Sequence, residues 1–79
     1  MGSKQTRKNI INKLRGAVKQ ATIEDNEIDR KKLIAYMALE NFMTERTIKE
    51  LVQTFINAGE FIEEYGTIRY DRRRINADT

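Results

Sequence analysis

Ile48, Leu51, Val52, Phe55 and Ile56 recur at i, i+3, i+4, i+7 and i+8, and Gly59 closes the run. That spacing lays one apolar stripe along a helix from Glu45 to about Ala58, with Thr44 as its N-cap and Gly59 as the C′ residue that ends it. The opposite face carries Arg46, Lys49, Glu50, Gln53 and Asn57. A singly striped helix must pack on something, and after Gly59 the period changes from helical to alternating. Phe61-Ile62-Glu63 and Thr67-Ile68-Arg69-Tyr70 read as two strands joined through Glu64-Tyr65-Gly66, a β-hairpin with glycine in its turn. The fold class is mainly α with a small β-hairpin.

Two further helices precede this unit. From Thr6 to Ala21, Ile10, Ile11, Leu14, Ala17, Val18 and Ala21 share one helical face, and Lys4, Lys8, Arg15 and Lys19 form a stripe beside it. Gly16 predicts a kink or a close helix contact there. Thr22–Asp29 reads as a loop with a short strand at Glu27-Ile28, and Asp29 caps a second helix over Arg30–Phe42. The apolar residues of that helix, Leu33, Ile34, Tyr36, Met37, Ala38, Leu39 and Phe42, point nearly all round it. Such a helix is either sandwiched in the core or exposes a patch for a partner. Asp71–Thr79 holds one apolar side chain larger than alanine and reads as a frayed tail. The expected organisation is a flexible N-terminus over 1–5, one domain over 6–70 and a basic flexible tail over 71–79.

Chemistry is limited by what the chain lacks. Its 79 residues contain no cysteine and no histidine, and the only serine is Ser3. Disulfides, thiolate metal sites and the usual nucleophile–base pairs are excluded, so no enzyme activity and no cofactor are expected. Asp25, Glu27 and Asp29 alternate like calcium ligands, but Arg30 stands where such a loop needs glycine and Tyr36 where it needs glutamate. Capping and a solvated loop are the better reading, and no metal is expected. No apolar run suits a secretory signal or a membrane span, so an intracellular location, cytoplasmic and nucleoid-associated or otherwise, is expected. High charge without proline, cysteine or histidine fits a thermophilic source such as an archaeal virus.

The net charge of +3 is unevenly spread. Residues 1–22 carry six bases and no acid, residues 23–64 ten acids against five bases, and residues 65–79 four arginines against two aspartates. Basic flanks around an acidic centre could grip phosphates, or they could be solvated helix and tail residues.

The order helix, loop, helix, short break, helix, glycine, hairpin resembles the winged helix-turn-helix family of DNA-binding domains. Met43-Thr44-Glu45-Arg46-Thr47-Ile48 is similar to the "L-S-x-R-T-V" lead-in to that family's recognition helix. Ala38, nine residues before Thr47, matches the small residue at the approach of the two helices. Phe55-Ile56-Asn57-Ala58-Gly59-Glu60-Phe61-Ile62 resembles its "L-x-x-x-G-x-I" exit into the wing. Three departures stand out: Asn41-Phe42 in the usually small turn, Glu60 at a usually apolar position, and Glu63-Glu64 at the wing tip.

The resemblance implies three helices plus a wing, and double-stranded DNA as partner of a small transcription regulator. Helix 45–58 would enter the major groove, with Arg46 and Gln53 donating to base edges and Lys49 steering to base or phosphate. Thr44 and Thr47 would meet a phosphate at the helix start. Arg69, Arg72, Arg73, Arg74, Lys8, Arg15 and Lys19 would add attraction independent of sequence. Arg46 and Glu50 read equally well as an i,i+4 surface pair. The alternative is a winged-helix accessory subunit of a replication, transcription or RNA machine, docking through the helix 30–42 apolar surface or the acidic centre. A homodimer, with the first helix pairing with its twin, is also expected to be feasible.

Overall fold

The computed structural model describes residues 3–78, and the surroundings of side chains 7–77. The elements run α1 Ser3–Ile23, β1 Ile28–Asp29, α2 Arg30–Glu40, α3 Glu45–Asn57, β2 Phe61–Glu64, β3 Thr67–Tyr70 and α4 Arg72–Asp78. Helix accounts for 66% of the chain, beside a small antiparallel sheet. Among the described residues there are four helices, where three were expected. Of the expected flexible N-terminus, residues 1 and 2 and the side chain of Lys4 lie outside the described residues, while the helix already begins at Ser3. No helix of the described residues is long and apolar enough to cross a membrane.

The apolar stripes meet at one core. Ile10, Leu14 and Val18 from α1, at i, i+4 and i+8, are fully buried against Ile48 and Val52 of α3 and Phe61 and Ile68 of the sheet. Each such side chain contributes about 1.5–3 kcal/mol by leaving water. Phe61 stacks on Phe55 at 4.3 Å between ring centroids and meets Tyr70 edge-on at 6.2 Å. Ala17, expected on the buried face of α1, lies in solvent instead. α1 runs as one helix past Gly16, and among the described residues a Cβ there would meet nothing within 4 Å, so no close helix contact uses it.

Strand order is β1-β3-β2, with Ile28 opposite Ile68 on one side of β3 and Phe61 opposite Tyr70 on the other. The two-residue loop of the β2–β3 hairpin, Tyr65-Gly66, has φ of 52° and 80°, the double positive φ of a type I′ turn. Thr22, read from sequence as the first loop residue, is a buried part of α1. Its hydroxyl donates to the Val18 carbonyl at 2.9 Å and accepts the Tyr70 N–H at 2.8 Å, which ties α1 to the central strand.

Helix ends follow their caps. Thr44 Oγ1 accepts the Thr47 N–H at 3.3 Å to open α3, and Asp29 Oδ1 accepts the Lys32 N–H at 3.1 Å to open α2. Gly59, with φ 81°, closes α3: its N–H reaches the Ile56 carbonyl and that of Glu60 reaches Phe55, a Schellman motif. The same motif ends α2 at Glu40, earlier than the expected Phe42. There the Phe42 N–H reaches Leu39 and the Met43 N–H reaches Ala38. Phe42 thereby occupies the left-handed position, at φ 53°, that glycine usually fills.

The expected frayed tail is a helix. Asp71 is buried, accepts the Arg73 N–H at 3.0 Å through Oδ1, and offers its carbonyl to the N–H groups of Arg74 and Ile75. Ile75, the lone large apolar side chain of the segment, packs against the core. A cap and one anchor suffice because β3 delivers the chain to the core edge.

Candidate nucleic-acid interface

α3 is held by one face. Ile48, Val52 and Phe55 are buried, which turns Arg46, Lys49, Glu50, Gln53 and Asn57 to solvent. These outward groups are largely paired along the helix: Arg46 Nε lies 3.6 Å from Glu50 Oε1, and Gln53 Nε2 donates to Asn57 Oδ1 at 3.0 Å. Both pairs sit in water, where an i,i+4 contact is worth about 0.2–0.5 kcal/mol and yields readily to a ligand. Lys49 is exposed and has no ion-pair partner among the described residues. At the helix start the Thr44 and Thr47 hydroxyls lie 3.0 Å apart, one donating to the other.

The remaining basic residues sit elsewhere and mostly serve the fold. Arg15 grips Glu60 with two nitrogens, the second at 3.2 Å, and its guanidinium lies 5.4 Å from the Phe55 ring centre. Tyr70 Oη donates to the same carboxylate at 2.8 Å. Burial pushes the Glu60 carboxyl up, but the hydrogen bonds from Arg15 and Tyr70 outweigh it and hold the group below its ordinary value. Arg15 is raised, chiefly by its hydrogen bond to Glu60, and Tyr70 is raised first by burial and then by that same carboxylate. Glu60, which departs from the resembled pattern, is thus the joint between α1, the end of α3 and β3.

Lys19 lies over the Tyr70 ring at 5.8 Å. Arg72 spans to Asp25 at 2.6 Å and to the Thr22 carbonyl at 3.3 Å, so it locks α4 to the end of α1. Arg73 and Arg74 flank Asp71 at 3.4 and 3.9 Å, and Arg74 also reaches the Ala58 carbonyl at 3.4 Å. The Asp71 carboxyl is lowered, first by the Arg73 backbone N–H. At the hairpin Arg69 pairs with Glu64 at 2.8 Å and Arg30 with Glu63 at 3.3 Å, leaving Tyr65 fully exposed at the tip. Lys8 projects into solvent near the start of α1, unpaired among the described residues.

The twelve residues marked from sequence therefore do not form one surface. Arg46, Lys49 and Gln53 share the exposed side of α3, while Thr44 and the half-buried Thr47 stand at its start. Arg15, Lys19, Arg72 and Arg74 are drawn into the seam of α1, β3 and α4. Sequence reasoning missed Thr22 and the clamping role of Glu60. The one signal for the latter was a carboxylate at a place where an apolar side chain was expected, with Arg15 available on an amphipathic helix to meet it. Comparison with protein-family models, curated proteins and solved structures yields no match. Geometry alone defines the class: a mainly helical domain with a small antiparallel sheet.

Proposed function

We propose that the chain is a winged helix-turn-helix domain that binds double-stranded DNA through α3, as a small transcription regulator. The element order α1-β1-α2-α3-β2-β3 and the sheet order β1-β3-β2 support the family. One observation carries the DNA reading. α3 buries a single stripe and leaves Arg46, Lys49 and Gln53 on a solvent face, free to trade weak intrahelical pairs for base edges. The rival reading, an accessory subunit that docks on protein, is favoured by the hairpin, whose acids neutralise Arg30 and Arg69 and whose tip is a bare tyrosine.

Every arginine from Arg15 onward has an ion-pair partner, weakly so for the exposed Arg46, while Arg7, Lys8, Lys13, Lys31, Lys32 and Lys49 have none among the described residues; we take Arg7, Lys8 and Lys49 as the ones that meet phosphate. With about three phosphates neutralised, affinity for a duplex should fall only ~40-fold between 50 and 200 mM salt. Fluorescence anisotropy with a labelled duplex measures this. Lys8→Ala/Lys49→Ala should flatten the salt slope, and Arg46→Ala/Gln53→Ala should weaken binding to a preferred sequence selectively. Absence of binding at low salt would sink the DNA reading and favour the protein-docking one.

A further inference from the structure

The outer side of α2 is apolar where a solvated helix face should be polar. Tyr36, Leu39 and Phe42 are 61%, 76% and 97% exposed, and Leu39 and Phe42 border a shallow depression with Ala35 and Met43. Phe42 is the informative member. It holds a left-handed backbone at the C′ position of α2, a conformation that is strained for a residue with a Cβ and that glycine would adopt freely. Nothing inside the fold offsets that strain, since the ring packs on almost nothing. A strained backbone that presents a bare aromatic ring marks a contact surface.

The charges around the patch say what covers it. Lys31 and Lys32 border its N-terminal end and Glu45 borders its C-terminal end, while Glu40 lies beside Leu39 near the middle. Lys31, Lys32 and Glu45 have no ion-pair partner among the described residues, and Glu40 only accepts a long 3.5 Å bond from Tyr36. A patch that is basic at one end and acidic at the other is complementary to itself when turned end for end. We infer that this face pairs with a second copy of the chain about a two-fold axis near Leu39. In that arrangement Leu39 meets its own symmetry mate, Tyr36 lies toward Phe42 of the other copy, and the lysine end faces the glutamate end. The inference stands apart from the DNA reading, because the only α3 residue it uses is Glu45, and not Arg46, Lys49 or Gln53.

The apolar area offered, on the order of 400 Å² per copy, is about half of what a standard interface buries per partner, so the dimer should be weak and form only toward high chain concentration. Sedimentation equilibrium of the full chain from about 10 µM to 1 mM measures it. Leu39→Glu should leave the chain monomeric throughout. Lys32→Glu should weaken the dimer about fivefold, two symmetry-related contacts being lost, and Lys32→Glu/Glu45→Lys should restore it. Phe42→Gly should weaken the dimer while the dilute monomer melts no earlier than the parent chain, which separates a lost contact from a lost fold. A parent chain that stays monomeric to 1 mM, an unaltered dimer in Leu39→Glu or Phe42→Gly, or no recovery in the double reversal would each overturn the inference.

Discussion

Two sides of this small domain treat their polar groups in opposite ways. Along the seam of α1, β3 and α4, the polar groups that hold the elements together have specific partners: Arg15 and Tyr70 converge on Glu60, Thr22 bridges Val18 and Tyr70, and Arg72 spans to Asp25. On the outer side of α2 and α3, Lys31, Lys32 and Lys49 have no ion-pair partner among the described residues, hydrogen bonds stay within one helix turn, and three large apolar side chains face water. The contrast teaches where function should be sought. A domain with so small a core uses polar cross-links to join elements that apolar burial alone holds weakly. Side chains left out of that scheme remain available to a partner.

The sharpest break of this contrast is Glu60→Ala, which strands Arg15 and the Tyr70 hydroxyl together. It should cost about 2 kcal/mol in urea unfolding, toward the lower end for two charge-assisted bonds because Arg15 is half-exposed. Leu39→Ala, on the other side, should stay within about 0.5 kcal/mol when measured on dilute monomer.

The same site sets an acid limit. Glu60 has a folded pKa below its ordinary value of 4.5, so its contribution is fully present above that value and is lost as pH falls through the lower folded one. Urea midpoints followed downward from pH 5 should therefore drop, and Glu60→Gln should flatten the fall. Asp71, also lowered, keeps part of it.

Thr22→Val is a smaller probe of the same side. It preserves shape but leaves the Tyr70 N–H without its 2.8 Å acceptor, at a cost of about 1–2 kcal/mol. The smallest effect has the opposite sign. Gly16→Ala, on an exposed and uncrowded stretch of α1, should stabilise by about 0.5–1 kcal/mol and raise the melting temperature by a few degrees. A loss there would mean that α1 is already covered at Gly16 by something outside the chain.

Local signals were legible wherever one residue's chemistry sufficed. Thr44, Asp29 and Gly59 mark helix boundaries by caps, and the 3.6-residue stripe of α3 identifies its buried face before any neighbour is known. The hairpin follows from alternation around Tyr65-Gly66. Errors arose where the answer depended on a distant partner. The segment after Tyr70 looked too polar to order, yet Asp71 and Ile75 find a cap and a core edge only because β3 ends there. Phe42 looked like the last residue of α2, because sequence shows its apolarity and not the Schellman geometry that turns it outward.

The candidate site divides in the same way. Arg46, Lys49 and Gln53 were placed on the outer face of α3 by periodicity alone, since a helix stripe fixes both of its sides. Arg15, Lys19, Arg72 and Arg74 looked equally free, because a charge count records sign and position along the chain but not partners across it. The sequence by itself determined the first three helices in outline, the N-caps of α2 and α3, the end of α3 and the hairpin, all products of interactions within a few residues. Only the tertiary structure decided which basic side chains remain available, because an ion pair such as Arg15–Glu60 joins residues 45 apart and exists only once the core has brought α1 against the end of α3.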